Sequence, residues 1–108
     1  MRAKSPYKVP WHVRQYVKQE LLDYRKNKKR LKNYKGSTRS LLLAEKRLAA
    51  IDTVINKLNE EDADAAICIF FDKYSQAGAE TAKGISKAAY YNTMNKVIYL
   101  VAEEMELI

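Results

Sequence analysis

The sequence predicts an all-α protein, and three observations carry this prediction. Its 108 residues include only 3 Gly and 2 Pro, which leaves little material for the tight turns of a sheet. Apolar residues recur at spacings of three and four along most of the chain, as on one face of a helix. Helix-start and helix-stop residues separate these stretches. We expect an N-terminal basic helical hairpin over residues 1–58 and a C-terminal three-helix unit over residues 59–108, with one compact domain as the alternative.

The first helix is predicted after a loose basic arm at residues 1–9. Pro10 suits a first helical turn, and the helix should run to about Tyr34 before Gly36 ends it. Its apolar stripe, which Lys28 interrupts, consists of Val13, Val17, Leu21, Tyr24 and Leu31.

The second helix is predicted from about Thr38 to Leu58. Its apolar positions form a heptad-like repeat of Leu41, Ala44, Leu48, Ile51, Ile55 and Leu58. Joined by the short link 35–37, the two helices would form an antiparallel hairpin, or they would offer a coiled-coil surface to a second chain. Because this stripe is longer than one interrupted partner helix requires, we expect a homo-oligomer.

The third helix is predicted from a strong start signal at Asn59, which can cap it ahead of three acidic residues, and it should reach about Lys73. A short fourth helix should span Gln76–Lys83, and a fifth should run from Lys87 to about Glu106. One face of the fifth helix is apolar and carries Tyr90, Met94, Val97, Val101 and Met105.

The junction between the last two helices has the dimensions of a helix-turn-helix, a motif that reads duplex DNA. Gly84 can take a positive φ, Ile85 can place an apolar side chain between the helices, and Ser86 can cap the second helix. The polar face of that helix supplies the candidate base contacts, which are Lys87, Ala88, Tyr91, Asn92 and Asn95. The alternative is a structural amphipathic helix whose polar side faces water.

Charge is distributed unequally along the chain. Residues 1–50 carry 15 Lys or Arg against 3 Asp or Glu, whereas residues 51–108 carry 5 Lys against 10 acids. A positive field of this kind attracts phosphate or an anionic membrane surface, although a charge run is also compatible with a solvated helix face. The candidate phosphate contacts are Arg25, Lys26, Lys28, Lys29, Arg30, Lys32, Lys83 and Lys96.

Several function classes lack support in the sequence. No apolar stretch approaches the ~20 residues of a membrane span, and the N-terminus has no secretory apolar segment, so we expect no membrane partner. The single Cys68 and the single His12 lack ligands or nucleophiles at suitable spacing, so we predict no metal, no cofactor and no enzymatic activity. The lone cysteine also favours an intracellular setting.

Residues 51–105 carry three motifs that resemble a known family. They are the helix start Leu58-Asn59-Glu60-Glu61-Asp62, the aromatic pair Phe70-Phe71 and the turn Gly84-Ile85-Ser86-Lys87-Ala88-Ala89-Tyr90-Tyr91. These motifs look like the C-terminal region of small phage-encoded late transcriptional regulators of the ArpU/RinA type, which resemble region 4 of sigma factors. The resemblance implies duplex DNA and RNA polymerase as partners, and the cytoplasm of a bacterial host as location.

The chain departs from the family pattern at the start of the last helix. Ala88 and Ala89 stand where the family tends to have serine and threonine, and Asn92 and Thr93 stand where arginines often follow. The resemblance therefore implies the fold more strongly than the base contacts.

We predict a phage-type transcriptional regulator that contacts duplex DNA through the helix-turn-helix and the basic N-terminal helix. The alternative is an oligomeric phage structural, DNA-packaging or adaptor protein, in which the last helices form a packing module.

Overall fold

The computed structural model describes residues 7–36 and 38–108, and this part of the chain contains helices and no strand. The predicted all-α class is confirmed. The helices are α1 (Trp11–Leu22), α2 (Tyr24–Lys32), α3 (Thr38–Lys57), α4 (Glu60–Ala66), α5 (Gln76–Lys83) and α6 (Lys87–Glu104). Most of the predicted arm 1–9 and Ser37 of the predicted link lie outside the described residues.

A break at Asp23 divides the predicted first helix into α1 and α2. Its backbone angles are φ −91° and ψ 6°, and its carboxylate accepts a hydrogen bond of 3.0 Å from the Gln19 amide. Aspartate is a poor residue for a helix interior because its side chain bonds to nearby groups. Beyond the break, the Tyr24 ring stacks on Phe71 with 4.4 Å between ring centroids.

The predicted third helix is regular only in its first part. After α4, residues Ile67–Phe71 form a π-helical turn, in which the Asp72 N–H donates to the Ile67 carbonyl oxygen at 2.8 Å. This wider turn buries Phe70 completely in the core and leaves the adjacent Phe71 half-buried against Tyr24. Lys73 then adopts a positive φ of 57°, and the chain leads into α5.

Helix α6 lies at the centre of the molecule and packs against α1, α3, α4 and α5. Its predicted apolar face is buried from Tyr90 to Val101, and Ile98 joins it. The fully buried large side chains come from both predicted halves of the chain and are Val17, Leu21, Ile51, Phe70, Val97, Ile98 and Val101.

In the second half of α3, the heptad-like stripe packs into the chain's own core. Leu48 and Ile51 of the stripe are buried, and Ile51 packs in the core cluster, as does Val54 outside the stripe. Near the other end of α3, Leu42 and Leu43 remain 58% and 50% exposed.

Lys28, which interrupts the apolar stripe of the first predicted helix, has a polar partner on α3. Its Nζ lies 2.8 Å from Asp52 Oδ2, and the Tyr24 hydroxyl donates to the other carboxylate oxygen. Burial raises the pKa of Asp52, but the hydrogen bonds from Lys28 and Tyr24 outweigh it, so the pKa lies below its ordinary value. Because the ion pair is well exposed, its contribution to stability is about 0–1 kcal/mol.

Candidate nucleic-acid interface

The junction of α5 and α6 forms the caps that its sequence predicts. The Gly84 backbone is left-handed, with φ 68°, and its N–H donates to the Glu80 carbonyl oxygen at 3.2 Å. This bond closes α5 in the manner of a left-handed C-cap. Ser86 Oγ then accepts a hydrogen bond of 3.1 Å from the Ala89 N–H and starts α6, while the partly buried Ile85 packs against the core.

Replacing Gly84 by alanine should destabilise the fold by about 1–2 kcal/mol, which is the cost of a left-handed backbone for an L-residue. A Cβ at this position meets no atom within 4 Å, so the cost is conformational rather than steric. Urea unfolding measures it, and Gly84→Asn is the matched control because asparagine tolerates this conformation better. Equal midpoints for wild type and Gly84→Ala would contradict the assigned turn.

The outward face of α6 presents the predicted base-contact residues to solvent. Lys87, Ala88, Tyr91 and Asn92 are exposed, whereas Asn95 is half-buried. On the opposite side, the Tyr90 hydroxyl donates to the Tyr74 carbonyl oxygen at 2.8 Å. Tyr91 packs edge-on against Tyr90, with 5.2 Å between their ring centroids. The core therefore holds this half of α6 in a fixed orientation while four of the five candidates remain accessible.

An acidic groove of about 670 Å³ lies beside this face, between α4 and the α5–α6 turn. Its charged walls include Glu61, Asp62, Asp64 and Asp72. The sequence interpretation treated the first two only as helix-start residues. Their spacing in the sequence does indicate that acidic residues share one wall of a groove, because Glu61 and Asp64 are three residues apart and so lie on one side of a helix. Asp62 and Asp72 are paired with Lys96 and Arg25, so Glu61 and Asp64 are the carboxylates that disfavour phosphate at this wall.

Three of the predicted phosphate contacts are already paired with carboxylates. Arg25 Nη1 lies 2.8 Å from Asp72, Lys28 bonds to Asp52, and Lys96 Nζ lies 2.9 Å from Asp62. The hydrogen bond to Asp62 raises the pKa of Lys96. These cations stabilise contacts within the chain, and no local sequence pattern indicates their partners.

The remaining predicted phosphate contacts are exposed. Lys83 lies in the groove wall, with its ammonium 5.7 Å from the centre of the Tyr74 ring. Four cations of α2 have no carboxylate within 4 Å in the described part of the chain, and they are Lys26, Lys29, Arg30 and Lys32. We call them the free cations of α2. The Arg25–Asp72 pair joins the start of α2 to the segment that leads into α5.

Residues 7–36 and 38–108 contain no cluster of three His, Cys, Asp or Glu that could hold a metal ion. None of the helices found there has the length and apolar character needed to cross a membrane. Cys68 is buried, which raises the pKa of its thiol, and His12 is exposed near the start of α1.

No family model, curated protein or solved structure matches this chain. The resemblance to phage late regulators stays a prediction from the motifs described above.

Proposed function

We propose that this protein is a phage-type transcriptional regulator that binds duplex DNA. The observation that carries the proposal is the capped turn at Gly84 and Ser86, which leads into a helix with one face in the core and Lys87, Tyr91 and Asn92 exposed on the other. A helix held in this way can enter the major groove, which is about 12 Å wide.

Each candidate base-contact residue of α6 has a defined role in the proposed complex. Asn92 bonds to adenine through two hydrogen bonds, and Lys87 reaches guanine or a neighbouring phosphate. Ala88 and Tyr91 contact a thymine methyl group or the sugar. Asn95, which is half-buried, contributes at the edge of the interface.

The free cations of α2 supply most of the affinity in this proposal. Neutralising phosphates releases counterions, and this sequence-independent gain accounts for a large share of DNA binding. Affinity and base preference therefore belong to different helices.

The biological setting is proposed from the motif resemblance. In that setting the protein is encoded by a phage or prophage, acts in the cytoplasm of the bacterial host, and has RNA polymerase as a further partner.

A second candidate is an oligomeric phage structural, DNA-packaging or adaptor protein. The acidic groove beside the turn favours it, since carboxylates from α4 suit a basic protein partner better than a phosphate backbone. In that case α5 and α6 form a packing module.

Selection from random duplex pools at physiological salt tests the proposal, with an enriched motif as the expected result. Asn92→Ala should then relax the preference at one base position by about 1–3 kcal/mol, because a bidentate contact is lost. The matched control is Asn56→Ala, which removes an exposed asparagine from α3 and should leave the motif unchanged.

Two outcomes would count against the proposal in different ways. Binding without any enriched motif would remove α6 as the reading element and leave α2 as a nonspecific contact. Failure to bind any duplex would favour the second candidate.

A further inference from the structure

A second surface, distant in sequence from the α5–α6 turn, is apolar and open to solvent. The N-terminal half of α3, the end of α6 and Tyr16 of α1 enclose a groove of about 190 Å³. Its apolar lining includes Leu43 and Leu107, which are 50% and 40% exposed. Leu42, which precedes Leu43 on α3, is 58% exposed. We call this surface the α3–α6 patch. Exposed leucines grouped in this way are typical of interaction sites.

After α6 the backbone adopts a strained conformation, which brings Leu107 to this groove. Glu106 has a positive φ of 60°, and the Leu107 N–H donates to the Ala102 carbonyl oxygen at 2.9 Å. Glycine usually occupies this position because a side chain there costs roughly 1–2 kcal/mol. The strained turn folds the chain back on the end of α6 and adds an apolar side chain to the groove wall.

The two sides of the patch carry opposite charges. Lys46 and Arg47 line the groove on α3, while Glu104 lines it on α6. Glu103 and Glu106 flank Glu104 along the chain, and within the described residues none of these three glutamates has a cation within 4 Å. Acidic residues at the C-terminal end of a helix also oppose the helix dipole. Cations of a partner molecule would pair with these glutamates and would offset their unfavourable interaction with the helix dipole.

We infer that a second copy of this chain binds to the α3–α6 patch and forms a two-fold symmetric dimer. In such an interface each copy presents the same surface, so the surface must be complementary to itself. The patch meets this condition, because a two-fold rotation places Lys46 of one copy opposite Glu104 of the other. The exposed leucines then meet at the centre. A partner with only one sign of charge would leave half of the rim unpaired.

The α3–α6 patch lies earlier on α3 than the buried part of the predicted association stripe. Ile51 and Leu48 are buried in the chain's own core and are not available to another molecule. Leu42 and Leu43, about one and a half to two and a half turns earlier, are available. Dimerisation through this patch requires no DNA, so a negative result in a DNA-free measurement would leave the proposed function untouched.

Sedimentation equilibrium of the full chain, from about 1 to about 100 μM, tests the dimer in the range where modest interfaces dissociate. The wild type should approach twice the monomer mass. Lys46→Glu should raise the dissociation constant about tenfold or more, because two glutamates then face each other across the interface, and Glu104→Lys should do the same. The double variant Lys46→Glu with Glu104→Lys should return it towards the wild-type value.

Lys29→Glu on the free cations of α2 is the matched control, since it changes net charge equally and should leave the dissociation constant unchanged. Helical circular dichroism verifies that each variant is folded. A wild type that stays monomeric throughout the range would overturn the inference and assign the patch to a different partner. A double variant as weak as either single variant would overturn it as well, as would an equal effect of Lys29→Glu.

Discussion

Replacing the free cations of α2, namely Lys26, Lys29, Arg30 and Lys32, by glutamine is expected to weaken binding to every duplex alike. If each cation releases about one counterion, the slope of log affinity against log salt should flatten by roughly 3–4. The affinity gap between variant and wild type should then widen roughly 100-fold as salt falls from about 200 to about 50 mM. Titrations of one fixed duplex at several salt concentrations measure the slope.

The comparison variant for this result is on α6. Alanine at Lys87, Tyr91 and Asn92 should change the salt slope by at most ~1, because only one cation is removed, while it erodes preference among sequences. Should the α6 variant keep its sequence preference while the α2 variant loses all binding, α6 is a packing helix and α2 is the nucleic-acid contact. An unchanged slope in the α2 variant would remove α2 from the interface.

Phe70→Ala is expected to destabilise the protein by about 3–5 kcal/mol, the cost of removing a large aromatic side chain from a closed core. Phe70 is fully buried and is the largest of the completely enclosed side chains. It joins the core cluster that α1, α3 and α6 share. A loss of this size is a large part of the stability of a small domain. Urea unfolding followed by circular dichroism measures it.

Phe71→Ala is the matched control, because the adjacent ring is half-buried and its main contact is the stacked Tyr24. We expect the smaller loss there, since less apolar area and one aromatic pair are removed. Equal losses at the two positions would contradict the assignment of Phe70 to the core and Phe71 to its edge.

Local chemistry explains why the helix caps could be predicted from the sequence. Asn59 Oδ1 accepts a hydrogen bond from the Asp62 N–H at 2.7 Å, and Gly84 and Ser86 adopt the predicted conformations. A cap depends on residues within about four positions of each other, and all of them can be read in one stretch of sequence. The buried side of α6 could be predicted as well, because it follows from the helical period of the apolar residues.

Features that depend on distant residues could not be predicted in this way. Lys28 looked like an interruption of an apolar stripe because its partner, Asp52, lies on another helix. The π-helical turn contains both Phe70, which packs in the core, and Phe71, which stacks on Tyr24 of α2, and no local pattern specifies it. For the candidate site, exposure along α6 followed from helical period, whereas the pairing of Lys96 with Asp62 required the fold.

The packing of α1 on α6 also determines when the protein can fold during translation. Arg14 contacts Met94 across 80 residues of sequence, and the α1 stripe is buried in the core that α6 completes. At synthesis rates of about 5–20 residues per second, α1 leaves the ribosome roughly 4–16 s before its partner exists. During that interval Val13, Val17 and Leu21 are uncovered in the nascent chain. The cations of α2 emerge directly behind them, where charged residues protect an exposed apolar segment from aggregation.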